Sequence, residues 1–167
     1  MLKQVSRLTL GPLARGLFRA KIVGRKNVPR SGAVILASNH LSFIDSVVIT
    51  LFAPRPVSFL AKDSYFTGTG VKGFLSRTFF RGIGAIPVTR GVGQAAQDAL
   101  DAGLGLLQEG EAFAIYPEGT RSRDGRLYRG KTGVAWLALN AGVPVVPVAL
   151  KGTDTVQPVG TKGIRLS

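Results

Sequence analysis

The only histidine of the chain stands in the run Ser38-Asn39-His40-Leu41-Ser42-Phe43-Ile44-Asp45. An imidazole works as a general base when one ring nitrogen is held by an orienting group and the other faces a hydroxyl. Asp45, five residues on, can be that group: a turn followed by the first turn of a helix folds its carboxylate back to the ring. Plainer readings fit the same residues. A single histidine in a globular domain is often a satisfied structural side chain, and Asp45 is equally placed as the N-cap of a helix beginning at Ser46.

A second cluster, Tyr116-Pro117-Glu118-Gly119-Thr120-Arg121-Ser122, directly follows an apolar run. Proline ends a strand, glycine permits a tight turn, and the hydroxyls of Thr120 and Ser122 with the Arg121 guanidinium supply donors for an anion. The same composition describes an ordinary solvated turn. Arg123, Arg126, Arg129 and Lys131 prolong the basic stretch, Lys131 as a weaker anion ligand.

Such groups act only if a folded domain positions them, and the composition supports one. The 167 residues suffice for one domain. With 45% hydrophobic and 19% charged residues there is material for a core and no signature of disorder. The absence of cysteine and the single histidine exclude a disulfide scaffold and the usual zinc and iron sites. The 22 basic against 9 acidic residues leave a net charge of +13, a field suited to phosphates on nucleic acid, on lipid headgroups or on a soluble ligand.

Short apolar runs alternate with longer helix-compatible segments, the pattern of a single α/β domain with a mixed or largely parallel sheet flanked by helices. Strands are predicted over Ala33–Ala37, Val57–Ala61, Ile83–Val88, Ala112–Tyr116 and Val143–Ala149, and helices from Asp45 through Phe52 and over Val71–Phe80, Gln94–Gln108 and Lys131–Leu139. Both clusters then lie where strands run out, the edge of an open α/β sheet at which ligands bind.

Residues 1–23 form a basic amphipathic helical segment. Eight cations from Lys3 to Arg30 precede the first acid, Asp45. Leu2, Val5, Leu10, Leu13, Leu17 and Phe18 recur at steps of three and four, with Pro12 placed to start a second helix after Gly11. The segment reads either as an anchor to an anionic membrane surface or as a helix packed on its own domain with a solvated basic face. It is not a signal peptide. The longest uncharged run, Thr132–Leu150, is broken by Asn140, Gly142, Pro144 and Pro147, so no transmembrane helix is expected.

Two further blocks fall in order with the clusters: Gly84-Ala85-Ile86-Pro87-Val88-Thr89-Arg90 between them, and Val143-Pro144-Val145-Val146-Pro147-Val148 after them. Over residues 24–151 the four blocks together resemble the glycerolipid acyltransferases, most nearly the 1-acyl-sn-glycerol-3-phosphate (lysophosphatidic acid, PlsC-like) acyltransferase family. The resemblance implies transfer of a fatty acyl group from acyl-coenzyme A or acyl carrier protein to the sn-2 hydroxyl of lysophosphatidic acid, giving phosphatidic acid for phospholipid biosynthesis. It makes His40 the general base and Asp45 its orienting carboxylate, with no metal or cofactor beyond the thioester co-substrate. Gly119, Thr120 and Arg121 would receive the acceptor's phosphate, joined by Arg90, which reads equally as a surface residue. Glu118 would pair with Arg121 or bind the glycerol hydroxyl. A lipid substrate also implies a peripheral protein at the cytoplasmic face of an anionic membrane, which favours the anchor reading of residues 1–23. Phe66, Phe74, Leu75, Phe79 and Phe80 could dock the acyl chain, though core is the default for such residues.

Residues 24–167 would be the acyltransferase domain. Family members continue past the Val-Pro-x-x-Pro strand with a further strand and helix, whereas this chain stops at Ser167, which leaves open whether the domain lacks its C-terminal end. The alternatives are an acyltransferase of the same family acting on another lysophospholipid or a lyso-aminolipid, and a basic nucleic-acid-binding domain. No helix-turn-helix, zinc-finger or RNP-type aromatic pattern is visible for the latter, and no nucleic-acid partner is expected.

Overall fold

The protein is described by a computed structural model that covers residues 2–89, 91, 93–161 and 163–165. Five strands, β1 (Val34–Ser38), β2 (Val57–Lys62), β3 (Ala85–Val88), β4 (Ala112–Ile115) and β5 (Val145–Val148), form one sheet of order β3-β2-β4-β1-β5. Every neighbouring pair is parallel. Parallel neighbours need crossovers, and each strand reaches the next through a helix: α2 (Asp45–Phe52), α3 (Gly70–Gly82), α4 (Gln94–Gln108) and α5 (Gly133–Ala141) in turn.

The two faces bury different side chains, as the period of two along a strand requires. Val34 and Leu36 of β1, with Ala112 and Ala114 of β4, pack against Ile49 of α2 and Phe80 of α3. Ile35 and Phe113, one step out of phase, meet Leu107 of α4 and Leu137 of α5. Helices therefore cover both sides of the central strands.

Both edge strands carry a proline, Pro87 on β3 and Pro147 on β5. The Phe59 amide donates to Gly84 and the Ile35 amide to Pro144. Since alternate residues of a strand turn their polar groups to opposite sides, Pro87 and Pro147 face away from their only neighbours, and their missing N–H groups cost no ladder bond.

The opening segment differs from expectation. One continuous helix, α1 (Leu2–Leu17), carries Pro12 inside it rather than a break after Gly11. Pro12 and Leu8, whose carbonyl loses its donor, are both exposed, so water can satisfy that carbonyl. Arg7 and Arg25 donate to the Ala53 carbonyl at the C-terminal end of α2 (2.5 and 3.3 Å), where a helix leaves carbonyls unpaired and favours cations. Burial, with Arg25 adding to it, lowers the Arg7 guanidinium below its ordinary value. β3 begins at Ala85 rather than Ile83 because the chain turns through positive φ at Gly84 (+85°). A short helix α6 (Thr153–Val156) and single 3-10 turns at Arg25–Asn27 and Asp63–Tyr65 complete the elements. Among the described residues no helix is long and apolar enough to cross a membrane.

Candidate active site

β1 and β4 lie side by side in parallel, with Ala37 opposite Ile115, so the loops that leave their C-terminal ends must meet. They meet ring on ring. The His40 imidazole stacks on Tyr116 with centroids 3.8 Å apart and planes 11° from parallel. The Tyr116 hydroxyl shares a 2.8 Å hydrogen bond with the Ser46 hydroxyl on α2. Burial pushes the Tyr116 phenol well above its usual range, against the Ser46 hydrogen bond and helped by the nearby Asp45 carboxylate, so the phenol stays protonated.

Asp45 opens α2 and is wholly buried. Its carboxylate does not cap that helix; Ile44 holds the N-cap position without a side-chain bond. The Oδ2 atom reaches back instead, accepting from His40 Nδ1 (2.8 Å) and from the amides of Leu41 (2.6 Å) and Ser42 (2.8 Å). The carboxylate, at the favourable positive end of the helix, is thereby fixed from the loop side. A carboxylate oxygen accepts, so the tautomer that satisfies this contact carries its proton on Nδ1 and presents a lone pair at Nε2. The His40 side chain is 15% exposed, and among the described residues Nε2 takes no hydrogen bond.

The backbone of His40 is pinned by the second cluster. Its N–H donates to Glu118 Oε1 (3.2 Å), and its carbonyl accepts from the Ser122 amide (2.8 Å). Glu118 is buried, and its Oε2 accepts from the Tyr128 amide (2.9 Å). Both Glu118 oxygens are thus engaged by main-chain donors of two loops, and among the described residues no ion pair joins it to Arg121. Asn39 is tied to Leu150 by two bonds (3.0 and 2.7 Å), and the buried Ser42 hydroxyl donates to the Gln157 carbonyl (2.7 Å).

Gly119 turns at φ +69°, a region in which a side chain is strained. Lys131 covers it, with Cε and Nζ 3.2 Å from where a β-carbon would stand, and the Lys131 amide donates to the Pro117 carbonyl (2.8 Å). Thr120 is exposed and Arg121 half-buried beside Ser122. Asp124 accepts from the Ser122 hydroxyl and the Arg126 amide (3.1 Å each); the Arg126 amide, foremost among its donors, holds its carboxyl below the usual carboxylate value. Arg90 lies outside the described residues.

His40, Asp45, Glu118, Gly119, Thr120, Arg121 and Lys131 therefore converge on one corner of the sheet. Roles for Tyr116, Asn39 and Ser42 escape sequence reasoning, although each stands inside a motif. The available signal is small or polar residues next to a strand end, which is too common to single them out.

A parallel α/β sheet with an oriented imidazole at its C-terminal edge, next to a cationic turn, is an arrangement chemically able to activate a hydroxyl beside an anion. Comparison with known proteins narrows this class. A model of the family described as Acyltransferase matches residues 19–151, and the chain belongs to that family. It is 33% identical over 148 residues to a chloroplastic 1-acyl-sn-glycerol-3-phosphate acyltransferase of Brassica napus, covering 88% of this chain and 41% of that one. It is 28% identical over 145 residues to the 1-acyl-sn-glycerol-3-phosphate acyltransferase of Bacillus subtilis, covering 86% of this chain and 68% of the relative. The crystal structure of the 1-acyl-sn-glycerophosphate (LPA) acyltransferase PlsC from Thermotoga maritima superposes with a TM-score of 0.73 at 27% identity, covering 96% of this chain and 61% of that chain. This chain thus spans less than half the length of the chloroplastic relative.

Proposed function

We propose that the protein transfers a fatty acyl group from a thioester donor, acyl-coenzyme A or acyl carrier protein, to the sn-2 hydroxyl of 1-acylglycerol 3-phosphate, giving phosphatidic acid. The observation that carries this reading is the 2.8 Å contact of His40 Nδ1 with buried Asp45, which leaves Nε2 unengaged on a residue whose backbone is bonded to Glu118 and Ser122, on either side of Arg121. Nε2 takes the proton of the acceptor hydroxyl as its oxygen bonds to the thioester carbonyl carbon. Asp45 balances the imidazolium so formed. Collapse of the tetrahedral intermediate breaks the carbon–sulfur bond, and the departing thiolate takes the proton back from Nε2. No covalent enzyme intermediate is needed, and protons balance over the cycle.

The acceptor's phosphate is held by Arg121 and Lys131 across the Gly119-Thr120 turn, with Arg90 as a third cation. Glu118, engaged by two amides, holds the His40 loop rather than the acceptor. The named activities of the relatives support the acceptor class, and the net charge of +13 suits anionic donor and acceptor alike.

The test is acceptor-dependent thiol release from acyl-coenzyme A, with lysophosphatidate in mixed micelles, for the native chain and His40→Ala. The expected result is a rate in the native chain that is lost in the variant while circular dichroism stays unchanged. Equal rates would remove His40 from the mechanism. A parallel arm with acyl carrier protein identifies the donor, and replacing lysophosphatidate by a lysophospholipid without a phosphate monoester identifies the acceptor.

A further inference from the structure

A hydrogen bond keeps its strength over some tens of degrees of bending, so the 2.8 Å contact with Asp45 alone would let the His40 ring tilt and swing the lone pair of Nε2. The face of the ring is held separately. Tyr116, the first residue beyond β4, lies against it with centroids 3.8 Å apart and planes 11° from parallel. The other stacked pair, Tyr65 with Phe80, stands 4.5 Å apart. At 3.8 Å two parallel rings are near van der Waals contact and overlap with little lateral offset. Tyr116 cannot easily give way, because its ring packs against the apolar core and its hydroxyl shares the 2.8 Å bond with Ser46. Asp45 and Ser46 are consecutive residues in the first turn of α2. One rigid element thus fixes the edge of the imidazole through Asp45 and its face through Ser46 and Tyr116.

The stack also favours one charge state. Two neutral rings face over face set like quadrupoles together, the less favourable arrangement for an aromatic pair. A cationic ring is instead attracted to a tyrosine face. The contact is therefore stronger once Nε2 has taken a proton than before, and an interaction that strengthens along the reaction lowers its barrier.

We propose that Tyr116 is a positioning residue for His40, its ring holding the imidazole plane and favouring the imidazolium as it forms. The inference rests on the acyl-transfer reading and adds a third side chain to the dyad. His40 is the only histidine of the chain, so NMR of the untagged, histidine-labelled protein reads its ring protons without ambiguity. Protons over an aromatic face are shifted upfield by its ring current. Those of His40 should lie upfield in the native chain and in Tyr116→Phe, relative to Tyr116→Leu and to the unfolded chain. In acceptor-dependent thiol release, Tyr116→Leu should lose roughly tenfold to thirtyfold in kcat with the KM for lysophosphatidate little changed. Tyr116→Phe, which keeps the ring face and gives up only the bond to Ser46, should recover most of that loss. A native spectrum without the upfield shift would overturn the proposal whether or not any variant folds. Native kcat in Tyr116→Leu would overturn it, as would a Tyr116→Phe as slow as Tyr116→Leu. A raised KM at unchanged kcat would place the ring against the acceptor and overturn it too. Full activity in His40→Ala would overturn the acyl-transfer mechanism and this inference with it, whereas the other outcomes leave that mechanism intact.

Discussion

One oxygen of Asp45 accepts three hydrogen bonds, from the ring of His40 and from two successive amides, so a change at that atom alters the base and its loop together. In Asp45→Asn the position receives either a neutral oxygen or an amide group facing three donors, and the charge that balances the imidazolium is gone. We expect kcat to fall roughly 10³–10⁴-fold, as for other dyads stripped of their carboxylate, which steady-state thiol release will measure. Glu118 and Arg121 should separate in kinetics. Glu118→Gln turns a donor toward one of two main-chain amides and should lower kcat with little change in the KM for lysophosphatidate, along with about 1–3 kcal/mol of stability. Arg121→Ala should raise that KM while thermal unfolding is unmoved. At this scale the pairing of His40 with Asp45 was legible, because their spacing brings a helix start back onto the ring. The partners of Glu118 were not, since backbone amides have no letter in the sequence. Of the middle motif, Gly84 to Thr89 are described and Arg90 lies outside the described residues.

Among the elements, the strands read clearly because β1 and β4 are unbroken apolar runs, as burial on both faces demands. Their ends shifted where glycine intervened. Gly84, at φ +85°, places a would-be β-carbon 2.3 Å from the Val57 carbonyl oxygen while its own carbonyl takes the Phe59 amide. Gly84→Ala should therefore cost about 2–4 kcal/mol, read from urea unfolding. Periodicity found α3 but could not say which side faces inward, since Phe74 and Phe80 are equally apolar and only the approach of Gly73 to Gly68 decides. The short α6 was missed because four residues carry no period. The break expected at Gly11-Pro12 did not form because the carbonyl that proline orphans lies on the exposed side of α1.

For the whole molecule, the sheet ends are as telling as its centre. Each edge strand turns a proline nitrogen outward, so neither rim offers a full row of donors to a stray strand. Pro147→Val would restore an N–H to the open side of β5, a strand with no charged residue. The variant is expected to self-associate more readily at equal concentration, which light scattering will detect; unchanged scattering would show that charge repulsion alone keeps copies apart. The hydrogen bond from Ser42 to Gln157 spans 115 residues, and Asn39 is bound to Leu150 across nearly as many. The dyad is local in the chain, yet part of what holds it still lies more than a hundred residues downstream. During synthesis the histidine and the aspartate emerge well before the residues that complete their seat, and a chain severed between Leu150 and Gln157 would keep the dyad's residues while losing one of the ties that hold them.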